Sequence, residues 1–177
     1  MGIQIGAKPD AGFDDPIGML HDCHRRIEHF VNIVCVVVDR AQNRALSEEE
    51  AAAIQAALHY FRTGGPRHNA DEEESLFPRM RAAGATNQLE KIGGLEHDHR
   101  DAEALHARVD SLYSAWIADG ALMPTQQEEL ANATAKLQHL YQQHIELEEK
   151  VVFPSATKML NPETLVAMGQ EFRARRA

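Results

Sequence analysis

The sequence predicts an all-α protein in which an antiparallel up-down four-helix bundle is followed by a short C-terminal helix. The first observation behind this prediction is the pattern His-x-x-x-Glu, which occurs four times. On a helix, residues i and i+4 share a face, so each pair presents an imidazole and a carboxylate to one point in space. The four pairs are His24/Glu28, His68/Glu72, His99/Glu103 and His144/Glu148.

The second observation is an internal repeat that contains these pairs in register. Leu20, His24, Arg25 and Glu28 recur as Leu95, His99, Arg100 and Glu103. His68, Glu72, Glu73, Phe77 and Pro78 recur as His144, Glu148, Glu149, Phe153 and Pro154. Two similar hairpins in tandem make a four-helix bundle, and sites in such bundles are built from inward side chains on facing helices.

Helical spacing of apolar residues and local start and stop signals indicate the first hairpin. Its first helix begins near Pro16, a favoured first-turn residue, and ends in the polar stretch 39–45. Ser47 and Glu50 form a capping box for the next helix. Residues 64–66, Gly-Gly-Pro, are expected to break or kink that helix.

The second hairpin follows Gly84. We expect helices over about 92–116 and 130–152, separated by a turn at Gly120, and a short helix after Pro162.

The chain is thus predicted to have three segments. Residues 1–15 form a flexible N-terminal arm, residues 16–160 the bundle, and residues 161–177 a short C-terminal helix with a basic tail. Asp71 and Glu74, in a run of acids, are expected to be solvated, as is the basic tail.

Bulk properties exclude several classes of function. The net charge of −9 disfavours nucleic acid, whose phosphates require a basic surface. No apolar run approaches the roughly 18 residues of a membrane span, and the N-terminus has no signal-peptide pattern, so a cytoplasmic protein is expected. Cys23 and Cys35 are about 18 Å apart on one predicted helix and are expected to be reduced packing residues.

The repeated pairs offer too many inward ligands for one tetrahedral zinc, and the chain has no Cys-x-x-Cys. Two metal ions fit better, each with four protein ligands and with room for a bridging oxygen and for O₂, peroxide or NO. In the simplest arrangement one ion takes His24 and His68, the other takes His99 and His144, and Glu72 and Glu148 bridge them.

Five further residues are candidates for roles around these ligands. Glu28, on the inward face of its helix, and Glu103 each lie one turn from their histidine, and either complete a metal's ligand set or hydrogen-bond an imidazole. His21 and His106 fall on inward stripes and are candidates to support the ligands. Tyr141 precedes His144 by one turn and either lines the pocket or packs in the core.

The order His, His-x-x-x-Glu, His, His-x-x-x-Glu, with Phe-Pro after the second and fourth pairs, resembles bacterial members of the hemerythrin-like (HHE cation-binding) family over about residues 16–160. The resemblance implies a four-helix bundle with a non-haem di-iron centre that has oxo or hydroxo and carboxylate bridges. Matched by position, the implied ligands are His24, His68, Glu72, His99, His144 and Glu148.

The chain departs from the oxygen-carrying hemerythrins at two positions. Glu103 stands where they have a second histidine on the third helix, and His144/Glu148 stands where they have His-x-x-x-x-Asp. An extra carboxylate favours the oxidised metals, which argues against a simple O₂ carrier. The ligand spacing also resembles the di-iron domain of bacterial proteins that repair iron–sulfur clusters after nitric oxide stress.

Three functions follow as hypotheses. The first is a di-iron protein that binds or senses O₂, peroxide, NO or iron. The second is a di-iron enzyme, peroxidase-like, catalase-like or NO-detoxifying, in which nearby His or Tyr would transfer protons. The third is a metal store or a structural zinc bundle, with zinc or manganese as alternative metals.

Overall fold

In the computed structural model, which describes residues 10–85 and 89–177, the chain is helical with short connecting turns and these residues form no strand. The all-α prediction is therefore confirmed. The α-helices are α1 (Pro16–Ala41), α2 (Glu48–Ala70), α3 (Phe77–Ala82), α4 (Leu89–Asp119), α5 (Pro124–Leu147), α6 (Phe153–Met159) and α7 (Pro162–Ala174). Two π-helical segments, Asp71–Leu76 and Glu148–Val152, join α2 to α3 and α5 to α6.

The four long helices form an antiparallel bundle in which α1 packs between α2 and α5, and α4 packs between α5 and α2. The direction of α1 relative to α5 is fixed by contacts at both ends. The Asn43 side-chain amide donates to the Leu122 carbonyl at one end, and His24 faces Glu148 at the other. Neighbouring helices therefore run in opposite directions, as the repeat predicted.

The predicted start signals are confirmed. Pro16 is the first residue of α1, and the Gly18 N–H donates to the Asp15 carboxylate. Ser47 and Glu50 form the capping box of α2. Asn161 caps α7 by accepting a hydrogen bond from the N–H of Thr164.

The predicted break in the second helix is wrong, and the alternative of a kink stays a prediction. The α2 helix continues through Pro66 to Ala70. Phe61 before the proline and His68 after it are both buried. Most helical stability in proteins comes from packing of the buried face, which here outweighs the loss of one backbone hydrogen bond.

The π-helical segments were not predicted, although their cause is visible in the repeat. The N–H of Phe77 donates to the carbonyl of Glu72, and the N–H of Phe153 donates to the carbonyl of Glu148. Each bond spans five residues instead of the four of an α-helix. The residue that follows each Phe is a proline, which has no N–H to continue the α-helical pattern.

The buried apolar side chains form two clusters, one on each side of a polar layer. The larger cluster contains Trp116, Tyr113 and Ile27, and the smaller contains Phe77, Phe153 and Phe172. The candidate ligands occupy the layer between them. Among the described residues, no helix is long and apolar enough to cross a membrane.

Both ends of the described chain contact the bundle. Within the expected N-terminal arm, residues 1–9 lie outside the described residues. The N–H of Ala11 donates to Asp22, and Asp10 pairs with Arg26. A side chain at Gly169 of α7 would overlap the Phe13 carbonyl, so this glycine permits close packing.

The expectation that Asp71 and the basic tail are solvated is wrong. The Asp71 side chain is fully buried and pairs with the guanidinium groups of Arg175 and Arg176. Arg175 also donates to the hydroxyl of Ser75 and pairs with Glu74, whose own side chain is exposed. The tail therefore anchors the first π-helical segment from outside the bundle.

Candidate metal centre

Six inward side chains meet in the polar layer of the bundle, and none is more than 5% exposed. They form two groups, in each of which the ligand atoms lie within 4.8 Å of one another. The first group is His24, His68, Glu72 and Glu148, and the second is Glu72, His99, His144 and Glu148. Both glutamates belong to both groups, which is the arrangement that the sequence favoured.

Each shared carboxylate faces one histidine of each group. Oε2 of Glu148 lies 3.0 Å from Nε2 of His24 and 3.3 Å from Nε2 of His144. Oε2 of Glu72 lies 3.6 Å from Nε2 of His68 and 3.3 Å from Nε2 of His99. The geometry is that of two groups of potential ligands that share two carboxylates.

Burial and mutual repulsion shift the pKa values of these groups. Burial, aided by the adjacent Glu148, raises the pKa of Glu72 well above its usual range. Burial opposes ionisation of Glu148 as well, but His144 and His24 outweigh it and lower its pKa. Burial lowers the pKa of His68 well below its usual value.

The donor set fits buried cations. Both carboxylate oxygens of Glu72 and of Glu148, and Nε2 of His24, are buried and make no hydrogen bond of normal geometry among the described residues, although imidazole nitrogens lie close to both Oε2 atoms. Buried polar atoms without partners are costly. A cation bound between the carboxylates would satisfy these atoms and offset the repulsion between the two glutamates.

Each half of the chain orients the first histidine of the other half. Oε1 of Glu149, from the second half, lies 3.0 Å from Nδ1 of His24. Oε1 of Glu73, from the first half, lies 2.7 Å from Nδ1 of His99. Such contacts fix the orientation and tautomer of a metal-binding imidazole. The sequence analysis assigned neither glutamate a role, although the repeated Glu-Glu was a usable signal.

The two phenylalanines of the repeat support the same histidines. The ring of Phe153 stacks on His24 with centroids 5.2 Å apart, and Phe77 stacks on His99 at 6.5 Å. The repeated string therefore places, in order, a histidine, two glutamates, an aromatic ring and the proline that follows the π-helical segment.

The two groups differ in how their remaining histidines are supported. Nδ1 of His144 lies 3.3 Å from Oδ2 of Asp98, whereas Nδ1 of His68 is buried with no hydrogen-bond partner in the described chain. Asp98 was also missed, because its counterpart in the first half is Cys23 and no repeat marks it.

Glu28 and Glu103 are exposed and belong to neither group. The expectation that Glu28 faces inward is wrong. The preceding residues, Ile27 and Ala102, point into the core. Successive residues of a helix point in directions about 100° apart, so the side chains that follow them face solvent. His21 is half-exposed, and its Nδ1 lies 3.0 Å from Oε1 of Glu149.

A cavity of about 340 Å³ lies between α2 and α4, and His99 and Glu73 form part of its wall. His106 and Tyr141 also line it, with Nε2 of His106 2.9 Å from the tyrosine hydroxyl. Burial lowers the pKa of His106 to about 4, so its imidazole is neutral at pH 7, and Nε2 accepts from or donates to the tyrosine hydroxyl according to the tautomer. Burial raises the pKa of Tyr141, which keeps the phenol protonated.

Comparison with known proteins agrees with this architecture. Residues 15–156 match the Hemerythrin HHE cation binding domain. An uncharacterized protein of Haemophilus influenzae is 27% identical over 167 residues, which cover 94% of this chain and 92% of that protein. The match spans the four bundle helices and all six inward side chains, and the chain therefore belongs to the hemerythrin HHE cation-binding family.

Proposed function

We propose that this protein holds a non-haem di-iron centre that binds a small ligand, O₂, peroxide or NO, and serves to sense it. The observation that supports this most directly is the pair of four-residue groups that share Glu72 and Glu148. Two shared carboxylates suit two adjacent cations rather than one.

The donor types favour iron among the available cations. Imidazole combined with carboxylate suits iron, manganese and zinc, whereas structural zinc sites are closed and rich in cysteine. The two cysteines, Cys23 and Cys35, are free and lie outside both groups. When bound, iron would supply redox chemistry and open coordination positions.

The residues of the chain have three tasks in this proposal. His24, His68, His99 and His144, with Glu72 and Glu148, would hold the metal. Glu73, Glu149 and Asp98 hold the imidazole rings in position through their Nδ1 atoms. The cavity beside His99 would give a ligand access to the second group from the gap between α2 and α4.

The test is the metal content and the optical spectrum of freshly purified protein. We expect about two irons per chain, near-ultraviolet charge-transfer bands, and spectral changes on titration with peroxide, O₂ or NO. His68→Ala should lose metal, whereas Glu28→Ala, which removes an exposed carboxylate of the same pattern, should not. One zinc per chain with no redox change would refute the proposal and favour a structural or storage role.

A second candidate function, consumption of peroxide or NO, is favoured by the hydrogen-bonded pair of His106 and Tyr141 on the cavity wall. A protonated phenol and a neutral imidazole can pass a proton to or from a ligand in the cavity. Turnover of peroxide or NO faster than that of free iron, and reduced in Tyr141→Phe, would establish this activity. Turnover equal to that of free iron would exclude it.

A further inference from the structure

We propose that His21, Glu149 and the outer nitrogen of His24 form a loading site that holds a divalent cation before it reaches the buried centre. This inference rests on the proposed function, because it requires the inward residues to bind metal. Nδ1 of His21 and Nδ1 of His24 each lie 3.0 Å from Oε1 of Glu149. Phe153 packs against both imidazoles, with ring centroids 5.0 and 5.2 Å away.

The three ligand atoms lie within 4.8 Å of one another, and two imidazoles with a carboxylate suit Fe²⁺, Mn²⁺, Co²⁺ or Zn²⁺. The side chains of His21 and Glu149 are each 38% exposed, so a hydrated ion can reach them. The six inward side chains are almost entirely buried, so an ion must pass other groups first.

His24 belongs both to the loading site, the outer group, and to the buried centre, the inner group. It faces the two groups with different nitrogens. Its Nδ1 faces Glu149, and its Nε2 lies 3.0 Å from Oε2 of Glu148. A neutral imidazole has a lone pair on one ring nitrogen and a proton on the other. It therefore binds a cation through Nδ1 or through Nε2, but not through both at once.

This exclusivity makes the outer group a temporary site. With the cation on Nδ1, the proton of His24 is on Nε2 and faces Glu148. With the cation on Nε2, the proton is on Nδ1 and faces Glu149. During the transfer Nε2 releases one proton by way of Glu148, and Nδ1 takes up one proton from solvent beside Glu149, so the ring has one proton before and after. The outer group loses a ligand once the centre is filled.

The other half of the bundle has no equivalent group among its described residues. The counterpart of His21 is Glu96, which pairs with Arg81 at 2.7 Å. Among the described residues, no second imidazole therefore joins Glu73 and Nδ1 of His99 in a metal-binding group. Loading through the outer group would occur on the His24 side alone.

The experiment is stopped-flow uptake of Co²⁺ by the metal-free full chain, followed by absorbance. His21→Gln retains a polar group near Glu149 but removes the imidazole ligand. We expect uptake at limiting Co²⁺ to slow on the order of tenfold, the lower end of the loss in metal affinity that follows removal of a supporting contact. The final stoichiometry and the melting temperature should not change. The control is His97→Gln, which removes a more exposed imidazole that lies 3.6 Å from Asp101.

An uptake rate in His21→Gln equal to that of the His97→Gln control would overturn the loading site and leave Glu149 with an orienting role alone. A third Co²⁺ held as tightly as the first two would also overturn it, because the outer group would then not depend on a free His24. If His21→Gln lowers the melting temperature, His21→Ala repeats the rate test with a smaller side chain. Failure of the wild-type chain to bind Co²⁺ would refute the proposed metal centre itself, which separates the two proposals.

Discussion

Removing the guanidinium groups of Arg175 and Arg176 is expected to lower the free energy of unfolding by about 3–5 kcal/mol. The Asp71 side chain is 0% exposed, and its two oxygens lie 2.9 Å from Arg175 and 2.6 Å from Arg176. Because the carboxylate stays buried when both cations are removed, the variant loses the ion pairs and retains an uncompensated charge. The cost is therefore that of a broken buried ion pair.

The assay is urea unfolding of the metal-free Arg175→Ala/Arg176→Ala variant, with thermal unfolding as a second measurement. For a chain of this size the expected loss corresponds to a decrease of about 6–20 °C in melting temperature. The control is Arg108→Ala, because Arg108 and Glu129 are 44% and 45% exposed. An ion pair at such a surface contributes little to stability because solvent screens it.

A third variant separates the effect of charge from the effect of lost packing. Adding Asp71→Asn to Arg175→Ala/Arg176→Ala neutralises the buried group and should restore part of the lost stability. Arg175 also contacts Ser75 and Glu74, and those contacts are absent in both chains. A loss in the double variant no larger than that of Arg108→Ala, or no recovery with Asp71→Asn, would refute the reasoning.

Four more predictions concern the centre and its cavity. A free metal concentration of about 100 times Kd should stabilise the protein by about 2.7 kcal/mol. Protein stripped of metal by a chelator should therefore melt at a lower temperature than the loaded protein, and equal melting temperatures would contradict a buried site. Gly65→Leu should slow azide binding to the loaded protein, because Gly65 lines the cavity and a Cβ added there meets no atom within 4 Å. Gly94→Leu is the control, because a Cβ there is equally free but the residue does not line the cavity. Asp98→Ala should weaken the binding of one ion by about 10–100-fold in a chelator competition, because it removes the partner of His144 Nδ1. The folded-state pKa of His106, about 4 against an ordinary 6.5, means that the unfolded chain binds more protons between these values. This pKa difference contributes about 3 kcal/mol to the free energy of unfolding above pH 6.5, and the contribution is lost as the pH falls toward 4. The difference in stability between wild type and His106→Phe should therefore change over that window.

The helices and the inward positions of the six candidate ligands could be predicted because they depend on local signals. Capping residues mark the helix starts, and a spacing of four places two side chains on one face. The same spacing failed for Glu28 and Glu103, because it does not tell how wide the buried stripe is. Only the pairs His68/Glu72 and His144/Glu148 are followed by a second glutamate and by Phe-Pro, and these are the pairs in which both members face inward.

The features that were missed depend on contacts between distant parts of the chain. The buried carboxylate of Asp71 accepts hydrogen bonds from Arg175 and Arg176, which lie about a hundred residues later in the chain. No local pattern distinguishes an acid that meets such a tail from one that faces solvent. The role of Asp98 likewise depends on the packing of α4 against α5, which brings it to His144.

Each half of the chain supplies a glutamate and a phenylalanine that hold the first histidine of the other half, which explains why the repeat extends beyond the ligands. A single hairpin has a first histidine and a His-x-x-x-Glu pair, but it lacks the glutamate and the phenylalanine that hold the first histidine. His24 depends on Glu149 and Phe153, and His99 depends on Glu73 and Phe77. Because Glu149 and Phe153 act on the first half and Glu73 and Phe77 act on the second, both copies of the string are needed before either group is complete. The repeat is therefore a requirement of the site as well as of the bundle. A substitution at Glu73 should disturb the orientation of His99, and one at Glu149 should disturb that of His24, each in the half of the chain that does not contain the substituted residue.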